Sequence, residues 1–544
     1  MKPLKAAIKM IPLTNINFRL TQIETKLWLS GFCALCLAFM PLLCHFIWGN
    51  HDWLPLAIGS SLSSGIIEGR FSQYFFPAIL VMGEILPIAN MLIGFLAYSL
   101  AMTLLATRFF LIQVKLKTTL IIIPVITLPY IIEILYFRFI VLSQLIWPLI
   151  IVLALLAASK TYQSPHYFLY TSISTILLFF TIGGYPAAAN LYITAALLWI
   201  ISKQQQNTLL QNLLKPALSF FISLCLAFIA LYFIHIKLKA DGTMLDLYNN
   251  HATDWKNYLY KLWPTIIKSA QSLTQPQPFF NFSFKVTSLT IIILGSIILI
   301  RLSPKIKNKL LSCSGLIALL LCIKFSAWLA APTADNYFQL NDPAEFMVRT
   351  DFYALPCVIM FFLNLILSAP HQYIKNLGYI LSIILLWGNL MADINFTKVQ
   401  ILGFQAEANL RQRITDRIQQ ATKYLNNHYY MVIQTGEISL RPKYYISQPN
   451  EKYGFYTLKT PYTRYWTPSE YYNFDQPSPY VLGKSTIQPQ DITIEMQQFL
   501  AQKIAVWPAL DSLFINQHYV IISLTQEGKN MLTQQYQKLT GARP

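Results

Sequence analysis

Apolar runs close to 20 residues long, separated by short polar breaks, recur from Trp28 to about Asn395 and then stop. A helix needs about 20 mostly apolar residues to cross roughly 30 Å of hydrocarbon. The pattern therefore predicts spans at 28–48, 82–107, 119–137, 139–159, 167–183, 187–202, 217–236, 286–302, 310–331, 352–369 and 377–393, eleven in all. The stretch 72–90, with Pro77, Glu84 and Pro87, has a second reading as a juxtamembrane helix feeding the second span. Arg138 leaves almost no loop between the third span and the fourth.

Beyond Phe396 the pattern changes. Residues 403–425 place Phe404, Ala408, Leu410, Ile414, Ile418, Ala421 and Leu425 mostly at helical spacing. Residues 428–433 and 519–524 read as strands and 495–503 as a helix. The expected fold is a polytopic α-helical membrane domain over 1–395 followed by a small α+β domain over 396–544. Residues 444–480, rich in tyrosine with Trp466 and several prolines, read as an irregular aromatic loop suited either to sugar stacking or to packing on lipid headgroups.

Composition agrees with a membrane protein: 55% of residues are hydrophobic, 12% are charged and the mean hydropathy is +0.45. With a cytoplasmic N-terminus, the inside loops hold sixteen of the 41 basic residues and one acid, Glu24. The loop with Asp52, the loops 237–285 and 333–351 and the C-terminal domain then fall on the periplasmic side of a bacterial inner membrane. Anionic lipid headgroups account for much of the +18 charge, and no nucleic-acid partner is expected. All seven cysteines fall in apolar spans, so neither a disulfide framework nor a zinc spacing is expected. The first apolar run is long and lacks a small-residue cleavage site, which reads as an uncleaved helix.

Candidate chemistry sits in the polar loop after the first span. Asp52, between His51 and Trp53, reads either as a general base for a sugar hydroxyl or as a helix N-cap. Glu68 and Arg70 read either as an orienting acid with a phosphate-holding guanidinium or as an internal salt bridge. Arg349, expected just before the tenth span, and Arg138 read either as phosphate ligands or as arginines reaching lipid phosphate. Glu84, Glu133 and Lys324 are unusual within spans and read as cavity-lining or paired charges. The turn Gly183-Gly184-Tyr185-Pro186 reads as a hairpin that needs glycine. A phosphate-binding Gly-rich loop, a zinc-protease helix motif and a nucleophile elbow are all absent from the sequence.

Asp52 in the first outer loop, Glu68-Gly69-Arg70 at its end, about eleven spans and the amphipathic segment 407–418 together resemble the phage-type seroconverting O-antigen glucosyltransferases (Gtr), within the GT-C glycosyltransferase superfamily. Members often pair two acids ahead of an arginine, whereas here Asp52 is flanked by His51 and Trp53-Leu54-Pro55. The resemblance implies inverting transfer of a hexose, commonly glucose, from undecaprenyl phosphate to lipid-linked O-antigen of lipopolysaccharide on the periplasmic face. Asp52 would be the base, Glu68 an orienting group, and Arg70, Arg349 and Arg138 the donor-phosphate ligands. The implied partners are the polyprenyl-phosphate sugar donor, the lipid-linked glycan acceptor and membrane lipids. The wider superfamily admits a divalent metal, but no ligand cluster here demands one, and no cofactor is expected. The rival readings are a polysaccharide exporter or flippase, and an O-antigen polymerase or ligase using the loop 237–285. A reporter enzyme fused after Pro544 is expected to read periplasmic, and a cytoplasmic signal would overturn the charge-based orientation.

Overall fold

In the computed structural model the described residues cover most of 20–45, 70–110, 116–160, 166–202, 209–240, 282–302 and 343–420, strands between 430 and 523, and scattered residues elsewhere. The chain divides into two compact units, Met1–Phe46 with Gly59–Phe396, and Ile47–Ile58 with Thr397–Pro544. The first unit is helical. Its elements are α1 (Gln22–Ala38), α2 (Met40–Cys44), α3 (Phe75–Leu80), α4 (Pro87–Leu104), α5 (Leu116–Ile126), α6 (Ile131–Leu135), α7 (Arg138–Lys160), α8 (Tyr167–Gly184), α9 (Ala189–Ser202), α10 (Leu209–Ala240), α11 (Phe282–Leu302), α12 (Pro343–Leu367) and the first part of α13 (Gln372–Gln420), whose residues from Thr397 onward belong to the second unit.

Among the described residues, six helices are long and apolar enough to cross a membrane: Pro87–Phe109, Ile140–Lys160, Tyr167–Gly184, Pro216–Ile234, Phe284–Arg301 and Gln372–Lys398. Pro186–Ile201 and Asp351–Leu367 are apolar but shorter. The remaining expected spans differ from the eleven-segment pattern for identifiable reasons. The first is α1 followed by the short α2, which has Pro41 in its first turn. The third is interrupted between Ile126 and Ile131, where Pro129 lacks a backbone donor and biases Leu128 away from helix. The ninth, 310–331, lies almost wholly outside the described residues. Glu84 is not inside a span: it is exposed in the turn after α3, where Met82 and Gly83 have positive φ. That turn makes α3 a separate short helix ahead of α4. The helices expected at 377–393 and 403–425 are one continuous helix, α13.

Burial shows which helix is central. In Ile140–Lys160 83% of the best apolar window is buried, against 17% in Pro216–Ile234, so α7 forms the middle of the bundle and α10 its rim. Phe221, Phe233, Ile383 and Trp387 are exposed on α10 and α13, as lipid-facing side chains should be. Close packing around α7 relies on small neighbours. A Cβ on Gly184 would lie 2.2 Å from the Trp147 ring, and one on Gly183 would lie 2.0 Å from the Phe71 ring. Neither glycine has a positive φ, so the need at this turn is for space rather than for a left-handed backbone.

Helix interruptions are sealed by side chains from other elements. Pro124 leaves the Leu120 carbonyl without its helical donor, and the Ser382 hydroxyl of α13 donates to it. Leu128 N–H turns to Val125 O (3.4 Å), and the freed Pro124 carbonyl accepts from Asn389 Nδ2 at 2.6 Å.

The second unit holds a four-stranded sheet with β1 (Tyr430–Thr435), β2 (Tyr480–Val481), β3 (Leu513–Ile515) and β4 (Tyr519–Ser523) in the order β2-β1-β4-β3. β1 runs parallel to β4, with Met431 opposite Tyr519 and Thr435 opposite Ser523, while β3 and β4 are antiparallel. Parallel neighbours cannot be joined by a tight turn, which fits the long chain between them. Residues 444–479 and 495–503 lie outside the described residues.

Gly183→Ala and Gly184→Ala are each expected to cost about 1–3 kcal/mol, because the ring opposite cannot move aside cheaply. Gly31→Ala should cost less, since its nearest neighbour is the flexible end of the Ile126 side chain. Thermal unfolding in detergent checks the order.

Candidate functional site

Antiparallel packing defines two ends of the helical unit. Arg108 at the end of α4 meets Glu24 at the start of α1, while Phe95, nearer the start of α4, meets Phe39 just past the end of α1. Lys160 at the end of α7 lies over the ring of Tyr170, early in α8. The opposite end collects Arg70, Gln73, Gln144, Tyr185 and Tyr353. Gln144 and Lys160 are about 24 Å apart along α7 at the helical rise.

Arg70 opens a turn closed by the Gln73 N–H on its carbonyl at 2.9 Å. Ser72 fixes that turn to α8, its hydroxyl donating to Phe180 O and its N–H to Gly183 O. Ser143 of α7 fixes the other side by donating to Gln73 O. Phe71 fills the space that Gly183 leaves, with its ring 5.0 Å from that of Phe179. The guanidinium so placed donates to Gln73 Oε1 at 3.2 Å and lies 5.7 Å from the centre of the Tyr185 ring. Among the described residues no carboxylate pairs with it.

Its neighbours carry hydrogen-bond donors in excess. The Tyr185 ring packs 5.9 Å from that of Tyr353, whose hydroxyl donates to Gln144 Oε1. On the other side of the same amide, Gln144 Nε2 has no partner among the described residues. Trp147 Nε1, three positions on along α7, is likewise buried and unpartnered. A cation at the same end of a bundle as spare N–H groups suits an oxyanion, phosphate above all.

A second polar group borders this end. Asp351, 5% exposed, interacts with Tyr130, whose ring packs against Phe284. The charged pair at the far end is different in kind. Glu24 accepts from Arg108 Nε at 2.6 Å and Nη2 at 2.7 Å, from Thr107 Oγ1 at 2.9 Å and from the Thr21 backbone at 2.8 Å. A π-helical turn, Leu105–Phe109, ends the helix and carries both Thr107 and Arg108. Every Glu24 oxygen is occupied, which is a structural clamp.

Of the catalytic and phosphate-binding candidates singled out in the sequence, Arg70 alone is described with its side-chain contacts. His51, Asp52, Glu68 and Lys324 lie outside the described residues, as do the side chains of Glu133, Arg138 and Arg349. On the backbone, Arg138 opens α7 and Arg349 lies inside α12, one turn ahead of Tyr353, rather than in a loop before the helix. Among the described residues no three His, Cys, Asp or Glu side chains are grouped to hold a metal. Gln144, Trp147 and Tyr353 were missed in the sequence. The signal was the polar pair Ser143-Gln144 inside an otherwise apolar run. Compared with family models, curated proteins and solved structures, the chain matches none.

Arg108→Met is expected to destabilise the bundle by about 3–5 kcal/mol, because it strands the buried Glu24 carboxylate. Adding Glu24→Gln should recover most of that loss. A double-mutant cycle of melting temperatures in detergent checks the coupling.

Proposed function

We propose that this chain is a glycosyltransferase that moves a hexose, glucose by its family resemblance, from a polyprenyl-phosphate donor to a lipid-linked glycan of the O-antigen type, at the periplasmic face of a bacterial inner membrane. One observation carries the reading: the Arg70 guanidinium is fixed by Gln73 and Tyr185, has no carboxylate partner among the described residues, and shares its end of the bundle with Gln144 and Trp147, whose side-chain N–H donors have no partner among the described residues. An arginine held for structure would be neutralised as Arg108 is. An arginine held for a phosphate needs its charge available and its geometry set in advance.

The donor phosphate would lie against Arg70, with Arg349 and Arg138 supplying further positive charge. Asp52 would take the proton of the attacking sugar hydroxyl, and Glu68 would orient it. Inversion follows from direct attack at the anomeric carbon, with the lipid phosphate leaving toward the arginines. A carrier for the same lipid-linked glycan is the second reading, and the interruption of the helix between Ile126 and Ile131 favours it, since broken helices are frequent in transporters.

Purified protein in proteoliposomes with labelled polyprenyl-phosphate hexose tests both. Arg70→Ala should lower transfer by about 100-fold or more, Arg70→Lys should keep part of it, and Tyr185→Phe should remain near wild type because the ring stays in place. Asp52→Asn should abolish transfer with insertion unaffected. Undiminished transfer by a well-inserted Arg70→Ala would remove this assignment. Movement of the donor across the bilayer with no glycosidic bond formed would favour the carrier.

A further inference from the structure

One face of α13 lines up Ser382, Asn389 and Asp393, all 0–1% exposed. The first two have clear tasks, donating to Leu120 O and Pro124 O where α5 is weakened by its proline. Asp393 stands one turn beyond Asn389, and neither of its carboxylate oxygens has a partner among the described residues. Asn389 Oδ1 is also buried and unpartnered. Three oxygen acceptors thus gather on consecutive turns of a membrane-spanning helix, Gln372–Lys398, beside the point where α5 ends. No charged group among the described residues acts on Asp393. On its own helix the nearest ionisable side chain is Lys398, five positions on and exposed. The described contacts of α13 with its neighbouring helices are to the carbonyls of Leu120 and Pro124 on α5 and, at Gly378, to Ile366 and Leu367 on α12, none of them titratable.

A lone carboxylate in an apolar interior is costly, and residues of this kind persist within membranes where they bind or pair. Thr397, one turn beyond Asp393, adds a buried unpartnered hydroxyl but no charge, so the carboxylate still calls for a positive one. We propose that Asp393, with Asn389, forms a binding site for one monovalent cation, a sodium ion or a proton. Occupancy neutralises the carboxylate and ties α13 to the broken end of α5. The inference is independent of the transferase reading, since it uses no residue assigned to the sugar donor.

Thermal unfolding of the purified full-length protein, the Asp393→Asn variant and the Asn389→Ala variant tests it, in choline buffer from mildly acid to mildly alkaline pH, with and without added Na+. For a sodium site, Na+ at alkaline pH raises the wild-type melting temperature by several degrees, matched K+ does not, Asn389→Ala weakens the response and Asp393→Asn abolishes it. For a proton site, Na+ has no effect, the wild-type melting temperature falls as pH rises because the buried carboxyl must ionise, and Asp393→Asn removes that fall. Identical responses of wild type and Asp393→Asn to both cations overturn the proposal. If Asp393→Asn does not fold, infrared spectra of wild-type protein and Asn389→Ala, both carrying isotope-labelled aspartate, decide. A carboxyl band whose response to pH or Na+ is changed by Asn389→Ala supports the site, and responses identical in the two proteins overturn it.

Discussion

A backbone carbonyl left without a donor in hydrocarbon costs several kcal/mol, and the helical unit is organised around avoiding that cost. Its spans are not uninterrupted rods. Pro124 removes a donor within α5, Pro129 ends the helical path beyond it, and the turn from Arg70 to Gln73 runs between α7 and α8. Side chains supply bonds across elements at these places: Ser382 donates to Leu120, Asn389 to Pro124 and Ser143 to Gln73, while Ser72 of the turn itself donates to Phe180 of α8. The same bonds that satisfy the backbone also fix which helix lies beside which.

The Arg70 turn shows how this satisfaction becomes a site. Its backbone is held from two sides by α7 and α8, so the guanidinium enters with its position already set. Bare glycines at 183 and 184 let Phe71 and Trp147 reach the end of α8, and Tyr185 follows immediately as the ring beneath the cation. Replacing either glycine disturbs packing and site together, because one short segment serves both. The short-range spacing of Gly183, Gly184 and Tyr185 is thus explained by contact with three different partners rather than by the turn itself.

Much of the helical unit was legible in the sequence, because lipid-facing and buried helices are both apolar and runs of 18 or more residues stand out against polar breaks. The breaks inside spans were not legible. Pro124 and Pro129 were visible in the apolar run 119–137, but whether a proline bends a helix or ends it depends on donors such as Asn389, more than 250 residues away. The early start of α1 had a local signal that was overlooked, Thr21 with Glu24 three positions on, which forms a capping box. Strands expected at 428–433 and 519–524 are found at Tyr430–Thr435 and Tyr519–Ser523, whereas their parallel pairing was not readable, since register is a property of two distant segments. Of the site, Arg70 could be singled out from its loop, but Gln144 and Trp147 were hidden in the most apolar span.

The charges of the helical unit divide by how completely they are answered. Glu24 and Arg108 answer each other, with Thr21 and Thr107 completing the set, and such a closed group has nothing left to offer a ligand. Arg70 keeps its charge, and Asp393 keeps both oxygens, in a fold that elsewhere satisfies even single carbonyls. The contrast cannot come from a shortage of donors, since Asn389 and Ser382 on the face that holds Asp393 are spent on the backbone instead. A chain that uses Ser382, Asn389, Ser143 and Ser72 on carbonyls, yet among the described residues leaves the Arg70 cation and the Asp393 carboxylate without a charged partner, separates groups that hold the bundle together from groups available to something that binds it.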